Sequence, residues 1–147
     1  MDILNGLIFD IAALKKRLAR LETQAQPRWV YLAAPLGADA WNGDSYSDVA
    51  SASIDLSAEF SVPAYIKAVL IQVAVRDSGA AENTNYFRCG ASATYNYENT
   101  CHAGGSDVWR YYLSPVQCDA NGDLWYAIEA SGTSTLEIVL RIWGYYI

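Results

Sequence analysis

A chain of 147 residues is long enough for one domain of ordinary size and a short appendage, and its 52% hydrophobic residues can fill a core. The formal net charge is −6, and the residues after position 24 carry six Lys and Arg against thirteen Asp and Glu, a net of −7. We therefore expect no nucleic acid and no membrane as partner, because phosphate backbones and anionic lipids require a basic face and no apolar run of about 18 residues is present.

The first residues do not resemble a secretory signal peptide. Asp2 and Asp10 stand where a basic start is needed, and Lys15, Lys16 and Arg17 interrupt the region of a cleavage site. A Sec-type signal is therefore not expected to export this chain.

An a/d heptad pattern runs through residues 1–24. Leucine or isoleucine recurs with alternating spacings of three and four, which is typical of a helix that buries a narrow stripe against copies of itself. The flanking pairs Asp10 with Lys15 and Arg17 with Glu22 have opposite charges at g and e positions, as parallel helices in register prefer. The apolar seam consists of Leu4, Leu7, Ile11, Leu14, Leu18 and Leu21.

The last turn of this seam, RLARLE at 17–22, resembles a short trimerisation signature of parallel coiled coils. In that signature the arginine packs across the seam and reaches the glutamate of a neighbouring chain. We therefore predict a parallel homotrimer, with Arg17 and Glu22 joining the six seam residues as trimerisation residues. Other oligomers, or one amphipathic helix folded back on its own domain, stay open as alternatives, although a strict a/d stripe is narrower than globular helices usually show.

The start of this stalk has a broader apolar surface. Ile3, Ile8 and Phe9 lie outside the a and d positions, and Gly6 weakens the helix by about 1 kcal/mol relative to alanine. Two interpretations are open: a frayed, broad end of the bundle, or an anchor in which Ile3, Ile8 and Phe9 insert into a larger assembly.

The remainder of the chain predicts a β domain. Pro27 ends the helix, so we divide the chain into a coiled-coil stalk at 1–24, a linker at 25–28 and a head at 29–147. Period-2 alternation and turn residues predict a mainly β fold, an antiparallel β-sandwich of jelly-roll type. The predicted strands are 29–32, 49–56, 65–76, 85–94, 107–113, 124–130 and 135–145, with loops at 35–47 and 95–106 and a tight turn at 57–63.

The sequence CDANGD at 118–123 has two interpretations. Asn121-Gly122 is a two-residue hairpin signal, because such turns need positive φ at both positions, and it predicts that strand 124–130 pairs across the turn. The acidic pattern is also similar to a calcium loop, but it lacks the length and the closing glutamate of an EF-hand. We favour the hairpin.

Six short blocks of the head form an ordered set: IDLS at 54–57, FSVPA at 60–64, KAVL at 67–70, RDSG at 76–79, CDANGD at 118–123 and IWGY at 142–145. In their order and spacing they resemble a β-sandwich module of structural proteins in tailed bacteriophages. The resemblance implies a homotrimeric, non-enzymatic virion protein, such as a tail fibre or head fibre, exposed on the virion surface. With such a protein, the apolar N-terminal end would attach to another virion protein, and the aromatic residues of the head would face a host-surface glycan or protein.

Three other classes of protein stay open beside the phage protein. The first is a cell-surface or filament component of a bacterium or archaeon with the same architecture. The second is a carbohydrate-binding module, and the third is a hydrolase of surface polysaccharide.

We expect no catalytic residues, no cofactor and no metal. The one histidine, His102, lies in a glycine-rich loop, and its neighbour Cys101 points away from it on an extended chain. No C-x-x-C pair suggests zinc, and no phosphate-binding loop is present. Cys89, Cys101 and Cys118 allow either one disulfide and one thiol or three thiols.

The aromatic residues give the remaining functional signal. Tyrosine and tryptophan offer a rigid apolar area with a polar group, which suits sugar faces and protein surfaces. The alternative is that they pack the sandwich and the trimer axis, where we expect Trp29, Phe60, Trp125 and Trp143. The predicted recognition surface consists of Tyr95, Asn96, Tyr97, Asn99, His102, Asp107 and Trp109.

Overall fold

The head consists of two antiparallel sheets in the computed structural model, which describes residues 13–18, 26–79, 84–94 and 99–147. The described strands are β1 (Trp29–Leu36), β2 (Asn42–Tyr46), β3 (Val49–Ile54), β4 (Ala68–Asp77), β5 (Tyr86–Gly90), β6 (Asn99–His102), β7 (Arg110–Gln117), β8 (Leu124–Glu129) and β9 (Leu136–Tyr146). One sheet has the order β1-β9-β4-β7, with β2 pairing on β9 beside β1, and the other has the order β3-β8-β5-β6. The predicted mainly β, antiparallel class is confirmed.

Strands β4 and β9 form the centre of the five-stranded sheet and show the predicted alternation. Every second residue is fully buried toward the other sheet, which confirms the two strongest strand predictions. These residues are Val69, Ile71, Val73 and Val75 in β4, and Leu136, Ile138, Leu140 and Ile142 in β9.

Segment 35–47 was predicted to be a loop, and this prediction is wrong. It contains the 3-10 turn Asp39–Trp41 and strand β2, which pairs with the first half of β9. Trp41 is only 5% exposed, and its ring lies 4.9 Å from that of Tyr46 and 5.1 Å from that of Tyr126. Burial of this aromatic cluster, rather than any strand pattern in the polar sequence NGDSY, orders the segment.

The loop predicted at 95–106 contains a strand in its described part. Strand β6 pairs with β5, and Cys101 on β6 is fully buried in the core. The sequence Asn-Thr-Cys-His has no run of large apolar residues, so alternation could not reveal it.

The turn at Asn121 and Gly122 forms, but the predicted hairpin does not. Asp119 accepts a backbone hydrogen bond from Gly122 at 3.1 Å, and Gly122 has the positive φ of 92° that favours glycine. The flanking strands β7 and β8 belong to different sheets. The Asp119 carboxylate accepts from the Asn121 and Asp123 N–H groups, which holds the turn as a corner between the sheets.

A short helix, Leu56–Phe60, begins where strand β3 was predicted to end. The Asp55 carboxylate caps it by accepting a 2.9 Å hydrogen bond from the N–H of Ala58. Phe60 and Val62 are 1% and 4% exposed, so both side chains point into the core.

Of the predicted stalk, the structure describes only residues 13–18. These residues are helical and all exposed, with Leu14 at 62% and Leu18 at 56%. No long coiled-coil helix is seen in the described parts of the chain, and no helix there is long and apolar enough to cross a membrane. The remaining stalk residues predicted for trimerisation or anchoring lie outside the described residues: Ile3, Leu4, Leu7, Ile8, Phe9, Ile11, Leu21 and Glu22.

Candidate functional site

The outer face of the five-stranded sheet carries aromatic side chains in place of the polar ones that a solvated sheet face usually shows. Register aligns outward residues of neighbouring strands in rows, so Leu70 lies between Gly144 and Pro115, and Ala74 lies between Val139 and Tyr111. The aromatic residues on this face are Trp29, Tyr31, Trp109, Tyr111, Trp143 and Tyr146.

One end of this face forms a surface that we call the proximal patch, made of Trp29, Tyr31, Leu70, Pro115 and Tyr146. The Trp29 ring stacks on Tyr31 at 6.2 Å and 20°, and it lies 5.7 Å from the ring of Tyr146. Four of the residues, all but Tyr146, line a shallow cleft of about 270 Å³. Because Tyr31 is 71% exposed, the patch presents a large apolar area to solvent in a single head.

The proximal patch lies where the chain enters the sheet. Arg28 and Ile147 exchange backbone hydrogen bonds of 3.0 and 3.1 Å, which extends the pairing of β1 with β9 by one residue. Arg28, the residue before β1, is therefore held at this end of the sheet.

The opposite end of the same face holds a second concavity, the distal groove. It has a volume of about 220 Å³ and is lined by Gln72, Ala74, Trp109, Tyr111, Val139 and Arg141. Its floor is the small side chain of Ala74, which lies between Val139 and Tyr111 in the sheet. The rings of Trp109 and Tyr111 lie side by side, 6.3 Å apart and tilted by 32°, and they form one wall.

Arg76 fixes the position of the Trp109 ring. Its guanidinium carbon lies 5.0 Å from the ring centroid, within cation–π distance. Nη2 of Arg76 also lies 2.7 and 2.6 Å from the two carboxylate oxygens of Glu137. The charge of Arg76 is thus balanced by Glu137, and the tryptophan is held against a fixed guanidinium.

Arg141 supplies a second positive charge to the distal groove. Its Nη1 donates to the Leu140 carbonyl at 2.9 Å, and its Nη2 donates to Oδ1 of Asn42. Asp39 lines an adjoining cleft with Arg141, yet within the described residues Arg141 forms no salt bridge. Both of the acceptors described for it are neutral, so in this part of the chain no carboxylate pairs directly with its guanidinium.

A buried carboxylate, Asp77, lies at the end of β4 and connects it to neighbouring loops. Asp77 is fully buried and accepts hydrogen bonds from the N–H of Gly79 at 2.8 Å, the N–H of Ser131 at 2.9 Å and Nδ2 of Asn85 at 3.2 Å. Burial raises the pKa of this carboxyl, but the hydrogen bonds, first of all from Ser131, outweigh it and hold the pKa below its ordinary value. Asp77 therefore joins the end of β4 to two loops, and we assign it a structural role.

The structure separates the predicted recognition residues. Trp109 lies in the distal groove, whereas His102 packs edge-on against Tyr86 in the four-stranded sheet, with their ring centroids 5.8 Å apart. Asn99 is only 6% exposed, and Asp107 is exposed in a turn with φ of 59°. The remaining three, Tyr95, Asn96 and Tyr97, lie outside the described residues.

The cysteines and the acidic side chains were the remaining groups that could carry chemistry. All three cysteines are thiols without a disulfide, and Cys89 and Cys101 are fully buried. Burial raises the pKa of the Cys101 thiol, and the neighbouring Cys89 raises it further. In the described parts of the chain, no three His, Cys, Asp or Glu side chains come together in a way that could hold a metal ion.

Sequence reasoning missed the contribution of Arg141 and Val139 to the groove. The outward positions of β9 include Val139, Arg141 and Trp143. Two of these three residues are apolar, which is unusual on a solvated sheet face and was the available signal. The placement of Val139 and Arg141 in one groove with Trp109 depends on the strand order, which periodicity does not reveal.

Comparison with known proteins gives no match, either to a protein-family model or to a curated protein.

Proposed function

We propose that this chain is a non-enzymatic, homotrimeric structural protein of a tailed bacteriophage, a fibre or other virion appendage. Three stalks associate through the a/d seam, and three heads meet through their proximal patches. The N-terminal end attaches to another virion protein, and the distal end of the head faces a host-surface glycan or protein.

The observation that carries the trimer is the exposure of Leu14 and Leu18. Both belong to the apolar seam, and both stay more than half exposed beside the described parts of the head. A helix folded back on its own domain would bury this stripe, so the exposure favours a partner outside the chain. Copies of the same helix are the partner that we propose, because the heptad repeat and the charges at g and e suit identical parallel chains.

The proximal patch supports contact between heads. It lies at the end where the stalk joins the sheet, so a trimeric stalk brings three patches together. Four strands about 4.8 Å apart, taken over about four residues at this end, cover roughly 250 Å² in projection, which is below the roughly 800 Å² per partner in stable interfaces. Three short stalk heptads are marginal alone, so in this proposal the stalk and the patches hold the trimer together.

The assignment to a phage virion is supported by the ordered blocks in the head that resemble structural modules of tailed phages. Two observations would test it: neighbouring genes for capsid or tail proteins, and labelling of intact virions by an antibody against the head. Neighbouring genes for cell-envelope proteins and unlabelled virions would favour a cell-surface or filament component instead.

The trimer is tested by the substitution Leu14→Asp in the full chain, with Ala13→Asp as its matched control. Both variants add one negative charge to the same helical turn, but Leu14 is at a d position and Ala13 is at an outward c position. Light scattering after size exclusion should give three times the 16.1 kDa chain mass for the wild type and for Ala13→Asp. Leu14→Asp should give a smaller mass.

Two results would contradict the trimer. A wild-type mass of one chain would favour the folded-back helix, and an unchanged mass in Leu14→Asp would show that the seam does not hold the assembly. Circular dichroism of each variant would show that the head keeps its β structure.

A further inference from the structure

The distal groove combines an aromatic wall, a small floor and an unbalanced guanidinium. From this combination we propose that the groove is a binding site for one carboxylated sugar residue of an acidic glycan. The inference deepens the proposed function, because it names the ligand class of the distal recognition end.

The aromatic wall suits a sugar ring. A pyranose presents C–H groups on its ring faces, and these pack on aromatic faces by dispersion and apolar burial. Tyr111 is 64% exposed, so its ring is accessible, and Trp109 is already held in place by Arg76. The side chains need little reordering, which lowers the entropic cost of binding.

The size of the groove fits one ring. Its volume of about 220 Å³ is smaller than the roughly 300–1,000 Å³ of pockets that enclose drug-sized ligands. Ala74 leaves a gap between Val139 and Tyr111, where a larger side chain would fill the floor. The neighbouring rings of a longer glycan then lie over the exposed edge strand β7.

The charge selects an acid over a neutral sugar. Among the described residues, Arg76 pairs with Glu137, whereas Arg141 shares an adjoining cleft with Asp39 but forms no salt bridge with it. The chain after residue 24 has a net charge of −7, so a cation without a paired carboxylate is unusual in it. Arg141 has only neutral acceptors, so a ligand carboxylate would provide the counter-ion that the protein does not. A planar guanidinium matches a carboxylate with two parallel hydrogen bonds, which are stronger than bonds between neutral groups.

The acidic head also decides against a nucleic acid as the anion, because several phosphates would need several unbalanced cations along one face. A phosphorylated or sulfated sugar has the negative charge of a carboxylated sugar but lacks the planar carboxylate. Binding of such an anion in place of the carboxylated sugars is a competing outcome of the experiment.

The experiment is calorimetric titration of the full chain with three carboxylated probes: a trimer of galacturonic acid, a hyaluronan tetrasaccharide and 3′-sialyllactose. The methyl ester of each carboxylated probe serves as its uncharged control. A sulfated and a phosphorylated lactose are titrated in parallel as anions without a carboxylate. Concentrations up to about 10 mM are used, since one ring on an open groove binds in about the millimolar range. We expect at least one acid to bind the wild type about tenfold more tightly than its ester.

Two pairs of variants locate the site. Arg141→Gln removes the positive charge. Asn42→Ala removes the acceptor of the Arg141 Nη2 hydrogen bond but keeps the charge of Arg141. Tyr111→Ser removes the aromatic wall, and Tyr112→Ser alters the neighbouring tyrosine on the other side of β7, opposite Val73. We expect Arg141→Gln and Tyr111→Ser to weaken binding about tenfold, with Asn42→Ala and Tyr112→Ser within about twofold of the wild type.

The inference is overturned if no acidic probe binds, if acid and ester bind equally, or if a sulfated or phosphorylated lactose binds and the carboxylated probes do not. Equal losses in a variant and its control would also overturn the location. Light scattering on the same samples separates this inference from the trimer: binding by a monomer would contradict the proposed assembly and leave the groove intact.

Discussion

The guanidinium of Arg76 lies over the ring of Trp109 at 5.0 Å and forms the one salt bridge seen within the described residues, with Glu137. Both charged side chains are about 30% exposed, at 31% and 27%, so solvent screens their attraction. The arginine therefore acts mainly by orienting the tryptophan, and the ion pair adds little stability.

A double-mutant cycle of Arg76→Gln and Glu137→Gln tests this division of roles. The expected coupling in the free energy of unfolding is about 0.5 kcal/mol, because partly exposed pairs contribute about 0–1 kcal/mol, and it should decrease at high salt. Urea unfolding of the four proteins gives the value. The control is a second cycle of Arg76→Gln with Glu59→Gln. Glu59 lies in the short helix and forms no part of this salt bridge, so the control cycle should show no coupling. A coupling above about 2 kcal/mol would contradict the account.

Substitution of Asp77 should destabilise the head. Asp77→Asn keeps the size of the side chain but replaces an acceptor oxygen by a donor that faces other donors, so we expect a loss of about 1–3 kcal/mol in unfolding free energy. The control is Asp107→Asn, which removes the same charge at an exposed position with φ of 59° that asparagine adopts readily. Its effect should stay within about 0.5 kcal/mol. Equal effects in urea unfolding would contradict the structural role of Asp77.

The contribution of Asp77 should depend on pH. Its folded pKa is held below the ordinary value of 3.8, so its stabilising effect is present above that value and is lost as the pH falls through the lower folded pKa. The stability difference between wild type and Asp77→Asn should therefore shrink below about pH 4. It is measured by urea unfolding at a series of pH values. A difference that grows on acidification would show that the folded pKa is raised instead.

The cysteines should titrate as three thiols. Cys89 and Cys101 are fully buried and Cys118 is half-buried, so Ellman's reagent should react slowly with one thiol in the native protein and with three after unfolding. Prior treatment with a reductant should not change the final count. A count of one in the unfolded, unreduced protein would reveal a disulfide.

The proximal patch should contribute to trimer stability. Tyr31→Ser removes an aromatic ring that is 71% exposed in a single head and buried between heads in the proposed trimer. We expect trimer dissociation at about tenfold higher protein concentration than in the wild type. Tyr65→Ser, at a tyrosine that is 68% exposed outside the patch, is the matched control. Identical dissociation curves for the two variants, from sedimentation equilibrium, would place the head interface elsewhere.

The sequence reveals those strands whose burial follows a local period. β4 and β9 lie in the centre of a sheet and alternate large apolar residues over their whole length, so their inward faces were predictable. β2 and β6 are short and polar, and they exist because Trp41 and Cys101 are buried against distant strands. Such nonlocal burial leaves no periodic signal.

The strand order also determines the candidate site. Asn121 and Gly122 correctly predicted a tight turn, yet that turn joins two sheets, so the expected pairing of strand 124–130 across it was wrong. In the structure β7 pairs with β4, which brings Tyr111 beside Ala74 and forms the distal groove. Trp109 was a predicted recognition residue, whereas Arg141, which lines the same groove, is 32 positions away in the chain and is brought there by this strand order.

The native mass of the full chain and of Leu14→Asp, at micromolar concentration and near-neutral pH, is the sharpest test of a trimer held by the stalk. We expect three times 16.1 kDa for the wild type and a smaller mass for the variant. A wild-type mass of 16.1 kDa, unchanged by the substitution, would contradict it.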